Sequence, residues 1–451
     1  MPISFAPLTT PLQRRLQTLA VVWHVFTIPS LLGLFLFLCS FPPLWPLIIV
    51  YLIYFVFFDS KSHENGASIK KVSPFLRNAL LWKYFSDYFP ITLYKTHELA
   101  PTFVSANEAA AISQPIPKSP RLEATIVDDD SIDPTDSTDF TISEKGDIDD
   151  ESSADKKYQI IQSSREFQEL QGHFGVRVFL KELVAWLLSF LPFVTKTNQG
   201  SHAADLKRVG RQYIFGYHPH GIISMGAMGG IATEGSNWSR LFPGIPVSTL
   251  TLITQFQLPL FREYLLSLGF ASVSKRSCTT LLKQGQSICI VLGGAQESLL
   301  ARPGQLNLVL NKRKGFVKLA MTVPNTTLVP TLAFGENDVY DQVSNDEHST
   351  LYKIQDFLKR KLGFTLPLLH ARGIFNYDFG IIPYRRPINI VIGEPIDMPY
   401  RSNPSEAEVD YYHRLYVSKL KKIYDDFKDK FHKDLTGNFG NCVYTDLEVV
   451  A

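Results

Sequence analysis

The stretch 16–58 contains no Asp, Glu, Lys or Arg, and no other feature limits the fold of this chain as strongly. One crossing of a bilayer takes about 20 apolar residues, so the stretch is long enough for two. Pro42, Pro43 and Pro46 lie near its middle, where they interrupt a helix and allow a turn. The pattern predicts a membrane hairpin of two apolar segments. A helical pair buried in a soluble core is the alternative.

Basic residues flank this stretch on both sides: Arg14 and Arg15 precede it, and Lys61, Lys70 and Lys71 follow it. Positive charge at both ends predicts that both ends face the cytosol, with residues 1–15 as a cytosolic N-terminus. The stretch is too long for a cleaved signal peptide. The four cysteines are widely separated, which favours a reducing, cytosol-facing catalytic portion over a disulfide framework.

A long insertion is predicted over residues 101–207. Its segment 128–155 carries twelve acidic residues and one lysine, a composition that predicts disorder because too little apolar surface is available for burial. The rest of the chain is therefore basic, which suits anionic lipid surfaces or an anionic substrate. The apolar run 183–194 is too short to span a bilayer, so it predicts an interfacial helix or, alternatively, a buried one.

Residues 208–435 alternate short apolar runs with amphipathic stretches, which predicts one catalytic α/β domain. Residues 59–100 form its membrane-proximal start, and residues 436–451 a tail. Continuous apolar strands separated by helices favour a mostly parallel central sheet with helices on both faces. The predicted strands are 213–217, 247–253, 270–274, 288–292, 327–334 and 388–392. The predicted helices are 258–268, 277–283, 315–322 and 350–362.

The peptide His218-Pro219-His220-Gly221 follows the first of these strands. Histidine titrates near neutral pH, and α/β enzymes bind ligands at the carboxyl ends of their strands. Proline favours an extended His218, so the two rings are expected on opposite faces, one as a general base and one in the wall. Two alternatives are ordinary polar residues in a turn and a metal site. No Cys, Asp or Glu lies nearby at ligand spacing, so no metal is predicted.

Other strand ends carry candidate binding groups. Gly293-Gly294 exposes backbone N–H groups that suit a phosphate or an oxyanion, although two glycines also make an ordinary turn. The polar tip 335–338 is equally compatible with a solvated loop. Candidate cofactor-binding cations are Lys275, Arg276, Arg302, Arg313 and Lys314. Guanidinium groups pair with phosphates such as those of coenzyme A, and a solvated face or a membrane contact is the alternative.

With these motifs in one order, the chain resembles the diacylglycerol acyltransferase type 2 family. The matching segments are 88–91, 213–221, 241–244, 259–264, 293–299, 301–304, 313–317, 330–337, 380–387 and 391–393. They span nearly everything except the start, the insertion and the last few residues, so the chain looks like a fungal-type member with an acidic insertion. The resemblance implies a glycerol-phosphate-acyltransferase-like fold and residence in the endoplasmic reticulum membrane, with the catalytic portion facing the cytosol and access to lipid droplets.

The resemblance also implies a reaction: acyl-CoA, as co-substrate, gives its fatty acyl group to the free hydroxyl of diacylglycerol, forming triacylglycerol for storage. No permanently bound cofactor is expected. The expected partners are the two substrates, the bilayer and the lipid-droplet surface, with no nucleic acid; a homo-oligomer is compatible. Alternatives are a monoacylglycerol or long-chain alcohol (wax) acyltransferase and a non-catalytic lipid-droplet scaffold.

An imidazole with a pKa near 6.5 suits deprotonation of an alcohol at neutral pH. His220 is assigned as that general base because it sits beside Gly221, where the chain turns toward the expected site. His218 is assigned to the wall, and N–H groups near Gly221 or Gly293-Gly294 to the oxyanion. Glycerol-phosphate-type acyltransferases, which the family resembles, carry an Asp five residues after the His. Here that position holds Met225 or, counted from His218, Ile223. The orienting carboxylate is therefore either Glu234 or Glu297, or it is absent.

Overall fold

The computed structural model describes residues 4–7, 9–105, 159–160, 206–342, 369–436 and 446–450. The predicted acidic segment 128–155, the apolar run 183–194 and the helix 350–362 lie outside these residues. The helices are α1 (Leu12–Cys39), α2 (Trp45–Ile53), α3 (Pro74–Arg77), α4 (Leu80–Tyr88), α5 (Met225–Ala227), α6 (Trp238–Leu241), α7 (Phe261–Ser267), α8 (Lys275–Lys283), α9 (Gly294–Ser298), α10 (Gly315–Thr322) and α11 (Glu406–Thr436).

The strands are β1 (Thr92–Lys95), β2 (Phe103–Ser105), β3 (Gln159–Ile160), β4 (Leu206–Arg208), β5 (Gln212–His218), β6 (Val247–Thr251), β7 (Ala271–Ser272), β8 (Ser287–Val291), β9 (Asn307–Val309), β10 (Thr326–Phe334), β11 (Asp341–Gln342), β12 (Leu369–His370), β13 (Asn389–Ile392), β14 (Ile396–Asp397) and β15 (Glu448–Val450). All six predicted strands are present. Four of them are shorter than predicted at one or both ends, by up to two residues at an end.

One central sheet has the order β3-β1-β13-β10-β5-β8-β6-β7, with β14 paired to β10. The five strands from β10 to β7 are parallel to one another. Strand β13 is antiparallel to β10, and β1 is parallel to β13. The sheet is therefore mixed and mostly parallel, and β5 lies between β10 and β8 in its interior.

Side chains alternate along β5 between two hydrophobic cores, as they must on an extended strand. Tyr213, Phe215 and Tyr217 belong to the core that includes residues of α1 and α4. Ile214 belongs to the core formed with α8, α10 and α11. The predicted helices on both faces of the sheet are thus confirmed. The even-numbered residues of β5 lie on the face that α11 covers.

The apolar stretch folds into two arms. Among the described residues, α1 is the one helix long and apolar enough to cross a bilayer. A one-turn helix at Pro42–Leu44 follows it, and then α2 continues into a π-helical turn at Tyr54–Phe58. The rings of Phe35 in α1 and Tyr51 in α2 lie 6.3 Å apart. These two rings therefore lie close to each other across the turn at Pro42–Leu44.

Buried charges join the second arm to the sheet domain. Arg262 in α7 is 2% exposed and donates to the Phe55 carbonyl oxygen at 2.9 Å. Its other nitrogen lies 3.4 Å from the carboxylate of Asp59. The neighbouring Glu263 accepts a hydrogen bond from the hydroxyl of Tyr51 at 2.8 Å. Because removing one partner of a buried charge pair is costly, these bonds fix the arm against the domain.

The predicted insertion begins and ends at one place in the fold. Strand β2 pairs antiparallel with β4, and Phe103 lies opposite Arg208. Inside the gap between them, β3 adds to the outer edge of the sheet beside β1.

Candidate active site

Strand β5 delivers the histidine motif to the carboxyl edge of the sheet. Every residue of β5 is buried, and the strand ends at His218, which is joined to Pro219 by a cis peptide bond. Gly221 follows with φ +59°, in the left-handed region that favours glycine. The predicted position of the motif at a strand tip is what the structure shows.

His218 is fully buried against α11. Its Nε2 lies 3.0 Å from the hydroxyl of Tyr416, and that hydroxyl donates to the Gly216 carbonyl oxygen at 3.0 Å. A hydroxyl has one proton to donate, so Tyr416 accepts from His218, and Nε2 carries the ring proton. Burial lowers the pKa of His218 to about 3. The ring is thus neutral, enclosed and structural in its contacts.

His220 is partly exposed, and it has a different set of contacts. Its Nδ1 lies 3.0 Å from the carbonyl oxygen of Gly221, which only accepts hydrogen bonds. Nδ1 therefore carries the proton of the neutral ring, and the lone pair is on Nε2. Burial lowers the pKa of His220, and the bond to Gly221 opposes part of that shift. At neutral pH the ring is an unprotonated base.

Glu297 in α9 reaches the motif from the β8 side. Its Oε1 accepts the backbone N–H of His220 at 2.6 Å, and its Oε2 accepts that of Val309 at 2.7 Å. Burial raises its pKa to about 7, although both bonds favour the ionised form. Of the two predicted carboxylates, Glu297 is the one brought to the motif, and it holds the peptide backbone of His220, not the imidazole.

A second buried carboxylate, Glu336, approaches from the β10 side. It accepts the backbone N–H groups of Met225 at 2.7 Å and Gly226 at 2.8 Å, and the Tyr217 hydroxyl at 2.6 Å. A Cβ at Gly221 would lie 2.8 Å from its Cγ, so the motif requires glycine there. Burial raises the pKa of Glu336 to about 7. The one sequence signal for this residue is its position in the polar tip 335–338, directly after the predicted strand 327–334.

Glu234 has other partners. Its carboxylate accepts from the Ser239 hydroxyl at 2.7 Å and backbone N–H at 3.0 Å, and it lies 3.7 Å from the guanidinium of Arg77. These contacts fix the turn after α5. They do not include His220.

Gly293 and Gly294 both have positive φ, at the carboxyl end of β8. A Cβ at Gly293 would lie 2.2 Å from Oε2 of Glu297, so this residue must be glycine for the carboxylate to approach. A Cβ at Gly294 would meet no atom within 4 Å, so this backbone borders open space. The arrangement leaves room for a ligand beside the motif.

The predicted cofactor-binding cations lie along the carboxyl edge of the sheet, at different distances from β5. Arg313 donates to the Gly293 carbonyl oxygen at 3.2 Å, and Lys314 pairs with Asp410 at 2.6 Å. Lys275 and Arg276 are exposed at the start of α8, after β7. Three strand spacings separate β7 from β5, roughly 15 Å at about 4.8 Å each.

Arg302 lies in the segment that follows α9 and is partly exposed. The backbone N–H of Gly304 in that segment donates to the Asp338 carboxylate at 2.7 Å, and the Asn337 amide donates to the Gln305 carbonyl oxygen at 2.8 Å. The polar tip predicted as either a site or a solvated loop is thus buried, and it ties the segment containing Arg302 to β10.

Together, the fold and the site define an α/β protein with two histidines at the carboxyl edge of its sheet and a long apolar N-terminal helix. A family model described as diacylglycerol acyltransferase matches residues 35–104 and 178–438. The chain belongs to the diacylglycerol acyltransferase family, so the predicted family and enzyme class are confirmed. The match is interrupted between residues 104 and 178, within the stretch predicted as an insertion.

Named relatives cover almost the whole chain. It is 40% identical over 427 residues to diacylglycerol O-acyltransferase 1 of Eremothecium gossypii, covering 94% of this chain and 78% of the relative. It is 35% identical to diacylglycerol O-acyltransferase 2 of Dictyostelium discoideum, covering 97% and 98%. It is 34% identical to 2-acylglycerol O-acyltransferase 1 of Bos taurus, covering 96% and 97%. No solved structure matches the chain.

Proposed function

We propose that this protein transfers a fatty acyl group from acyl-CoA to the free hydroxyl of diacylglycerol, with His220 as the general base. The observation that carries the proposal is the neutral, partly exposed His220, with its Nε2 lone pair free, at the central strand tip of a chain from this family. His218 supports the same assignment from the other side, since its buried Nε2 already donates to Tyr416.

The proposed reaction accounts for the hydroxyl proton and for the leaving group. Nε2 of His220 takes the hydroxyl proton as the alcohol oxygen attacks the thioester carbon. The tetrahedral intermediate collapses by breaking the carbon–sulfur bond, and the coenzyme A thiolate leaves easily because a thiol has a pKa of about 8.5. The imidazolium then returns its proton to solvent or to the thiolate. Backbone N–H groups near Gly221 or Gly293-Gly294 are the proposed oxyanion donors.

Two positioning carboxylates flank the base in this proposal. Glu297 binds the peptide N–H of His220 itself, and Glu336 binds the start of the helix four residues after Gly221. They come from the strands on either side of β5. The carboxylate that glycerol-phosphate-type enzymes carry five residues after the histidine is thus replaced by two that hold the backbone of the loop. Gly221 completes this loop because only glycine leaves room for Glu336.

The phosphates of acyl-CoA are assigned to the basic edge of the sheet. Arg313 and Arg302 are the nearer candidates, since each follows the Gly293-Gly294 turn in the chain and Arg313 contacts it directly. Lys275 and Arg276 stand farther along the edge, at a span that suits the long pantetheine and nucleotide portion. Lys314 contributes less to this role because Asp410 already neutralises it.

A row of exposed apolar side chains follows the same edge and supports a lipid-facing orientation. Ile223 follows β5, Leu252 and Ile253 follow β6, Val273 follows β7 and Leu300 follows β8 and α9; each is 38–41% exposed. Apolar substrates that partition into a membrane reach His220 directly from such an edge. With the arms of 16–58 in a bilayer, this edge supports a catalytic domain that faces the membrane surface. Residence at the endoplasmic reticulum and lipid droplets, with the domain on the cytosolic side, is proposed from the family resemblance.

The proposal is tested by supplying microsomes that contain the full chain with labelled acyl-CoA and, in turn, diacylglycerol, monoacylglycerol or a long-chain alcohol. We expect triacylglycerol to form fastest. Faster use of monoacylglycerol, the acceptor in the name of the Bos taurus relative, or of the alcohol would reassign the acceptor. Product no greater than that of microsomes lacking the chain, with every acceptor, would instead support a non-catalytic scaffold.

A further inference from the structure

The loop 374–381, called here the aromatic loop, displays a cluster of apolar rings that the catalytic site does not use. Phe375 is 75% exposed and Phe379 70% exposed, and Phe5 beside them is 70% exposed. Side chains this exposed contribute almost nothing to the packing of the domain. Exposed apolar clusters on proteins mark surfaces that contact another apolar phase or partner.

The fold holds these rings outward. Ala371 forms an isolated antiparallel bridge with Gly380 and Arg372 forms one with Ile382, so the two ends of the loop are held together as a hairpin. The side-chain oxygen of Asn376 accepts the backbone N–H groups of Asp378 at 3.2 Å and Phe379 at 2.8 Å, which closes the tip. The exposure of Phe375 and Phe379 on this hairpin is therefore built into an ordered turn.

The aromatic loop lies at the beginning of α1. The Phe375 carbonyl oxygen accepts from the Ala6 N–H at 2.8 Å, and the Tyr377 N–H donates to the Ser4 carbonyl oxygen at 2.9 Å. Nearby, Arg385 donates to the Arg14 carbonyl oxygen at 2.9 Å, in the first turn of α1. The loop is thus fixed at the end of the helix that is long enough to cross a bilayer.

Basic residues lie close to the aromatic loop. The guanidinium of Arg372 lies 4.7 Å from the Tyr377 ring centroid, and that of Arg385 lies 4.1 Å from the ring centroid of Tyr88. Arg14 is exposed at the start of α1. The acidic residue of the loop is Asp378, whose carboxylate accepts the backbone N–H of Ser4. Aromatic rings with an excess of arginine match the headgroup layer of a leaflet that contains anionic lipid.

We propose that the aromatic loop is a second membrane contact, with Phe375 and Phe379 inserted into the leaflet that α1 enters. The loop follows β12, and β12 pairs with β11, which comes after the carboxyl end of β10. Strand β13, which comes after the loop, is antiparallel to β10, so the loop lies on the same side of the sheet as His220. Two contacts, the loop at one end of this side and the arm joined to Arg262 at the other, hold the domain with its active edge toward the lipid.

This inference rests on the proposed membrane location, and the test separates the two. Single cysteines are introduced at Phe375 or Phe379 in the full chain, with Cys39 and Cys442 changed to Ser; Cys278 and Cys289 are buried and stay. Each cysteine carries an environment-sensitive fluorophore. The protein is reconstituted into phosphatidylcholine vesicles, with or without phosphatidylserine, and with or without lipids that carry a quencher on the acyl chain.

Labels at two control positions provide the reference signals for membrane and water. Leu47 in α2 is 58% exposed and reports the membrane location itself, and Tyr411 on α11 is 56% exposed and reports the aqueous side. We expect the labels at 375, 379 and 47 to be quenched by the lipid-borne quencher, and the label at 411 to be unaffected. Phosphatidylserine should increase quenching at 375 more than at 47, because the arginines lie close to the loop.

Quenching at 47 without quenching at 375 or 379 overturns the second contact and leaves the membrane location in place. The absence of quenching at 47 overturns both. Energy transfer between labelled loops of separate chains, without lipid quenching, would assign the loop to a contact between two copies and would also overturn the proposal. Acyl transfer by each labelled protein to a short-chain, water-dispersed diacylglycerol confirms that the domain is folded.

Discussion

The buried carboxylate of Glu297 accepts a hydrogen bond from the backbone N–H of His220 at 2.6 Å. Its second oxygen binds the Val309 N–H, so both of its oxygens are occupied by backbone donors. The carboxylate therefore fixes the position of the peptide that carries the base. The orientation of the ring comes from the adjacent Gly221 carbonyl oxygen.

Replacing Glu297 with Gln should lower acyl transfer with little change in the KM for diacylglycerol. The amide NH₂ group cannot accept a hydrogen bond, so one of the two backbone N–H groups loses its partner at a cost of about 1–3 kcal/mol. If the misplacement of His220 carries most of this cost, kcat falls about tenfold to a hundredfold. Glu406→Gln, an exposed change at the start of α11, is the control and should retain wild-type kcat.

His220→Ala should reduce kcat by about 10²- to 10⁴-fold, the usual contribution of a positioned general base. The ring is partly exposed, so the amount of protein in membranes should be unchanged. Added imidazole should restore part of the activity by filling the vacated space. His97→Ala, on an exposed loop, is the matched control. Near-normal transfer by the His220 variant would remove the assignment of the base.

Gly216→Ala should destabilise the protein, and Tyr416→Phe should partly compensate. A Cβ at position 216 would lie 2.0 Å from the Tyr416 hydroxyl oxygen and 2.9 Å from the ring carbon that carries it. Alone, Tyr416→Phe should cost about 1–3 kcal/mol, because His218 and the Gly216 carbonyl oxygen lose their buried partner. The unfolding free energies of both single variants and the double variant measure the coupling. Strictly additive costs would contradict the close approach.

Glu336 should make the protein less stable as pH rises from about 4.5 to about 7. Burial raises its pKa from the ordinary 4.5 to about 7, so in this window the folded protein binds a proton that the unfolded chain has released. The free energy of unfolding therefore falls as that proton is lost. Glu336→Gln should reduce the slope, and Glu297 should supply the remainder. Thermal unfolding of the detergent-solubilised full chain across this window provides the measurement; an unchanged slope would contradict the shift.

Local sequence patterns predicted the strands of the mostly parallel sheet and the position of the histidine motif. Apolar runs indicate strands, and proline or glycine residues indicate turns. Glu336 lies in the predicted polar tip 335–338, but its role was not predicted, because the N–H groups that its carboxylate accepts lie more than a hundred residues earlier in the chain. Helix α11 was not assigned either. It is strongly charged on its outer face, and only the packing of Tyr416 and its neighbours against β5 and β10 shows its role.

Removing residues 128–155 should leave acyl transfer largely intact, since the segment is predicted to be disordered and the described residues of the site lie outside it. The shortened chain and the wild type are compared in microsomes at equal protein amounts. Loss of folding or of all activity would show that the acidic segment is part of the catalytic unit.

The pairing of β2 with β4 brings the two ends of the predicted insertion side by side. A loop whose ends are already joined can lengthen at a free-energy cost that grows only with the logarithm of its length. Apart from β3, which pairs with β1, the catalytic domain can therefore take additional sequence between these two ends without moving the site. A reporter domain inserted between β2 and β3 should therefore be carried by an otherwise active enzyme.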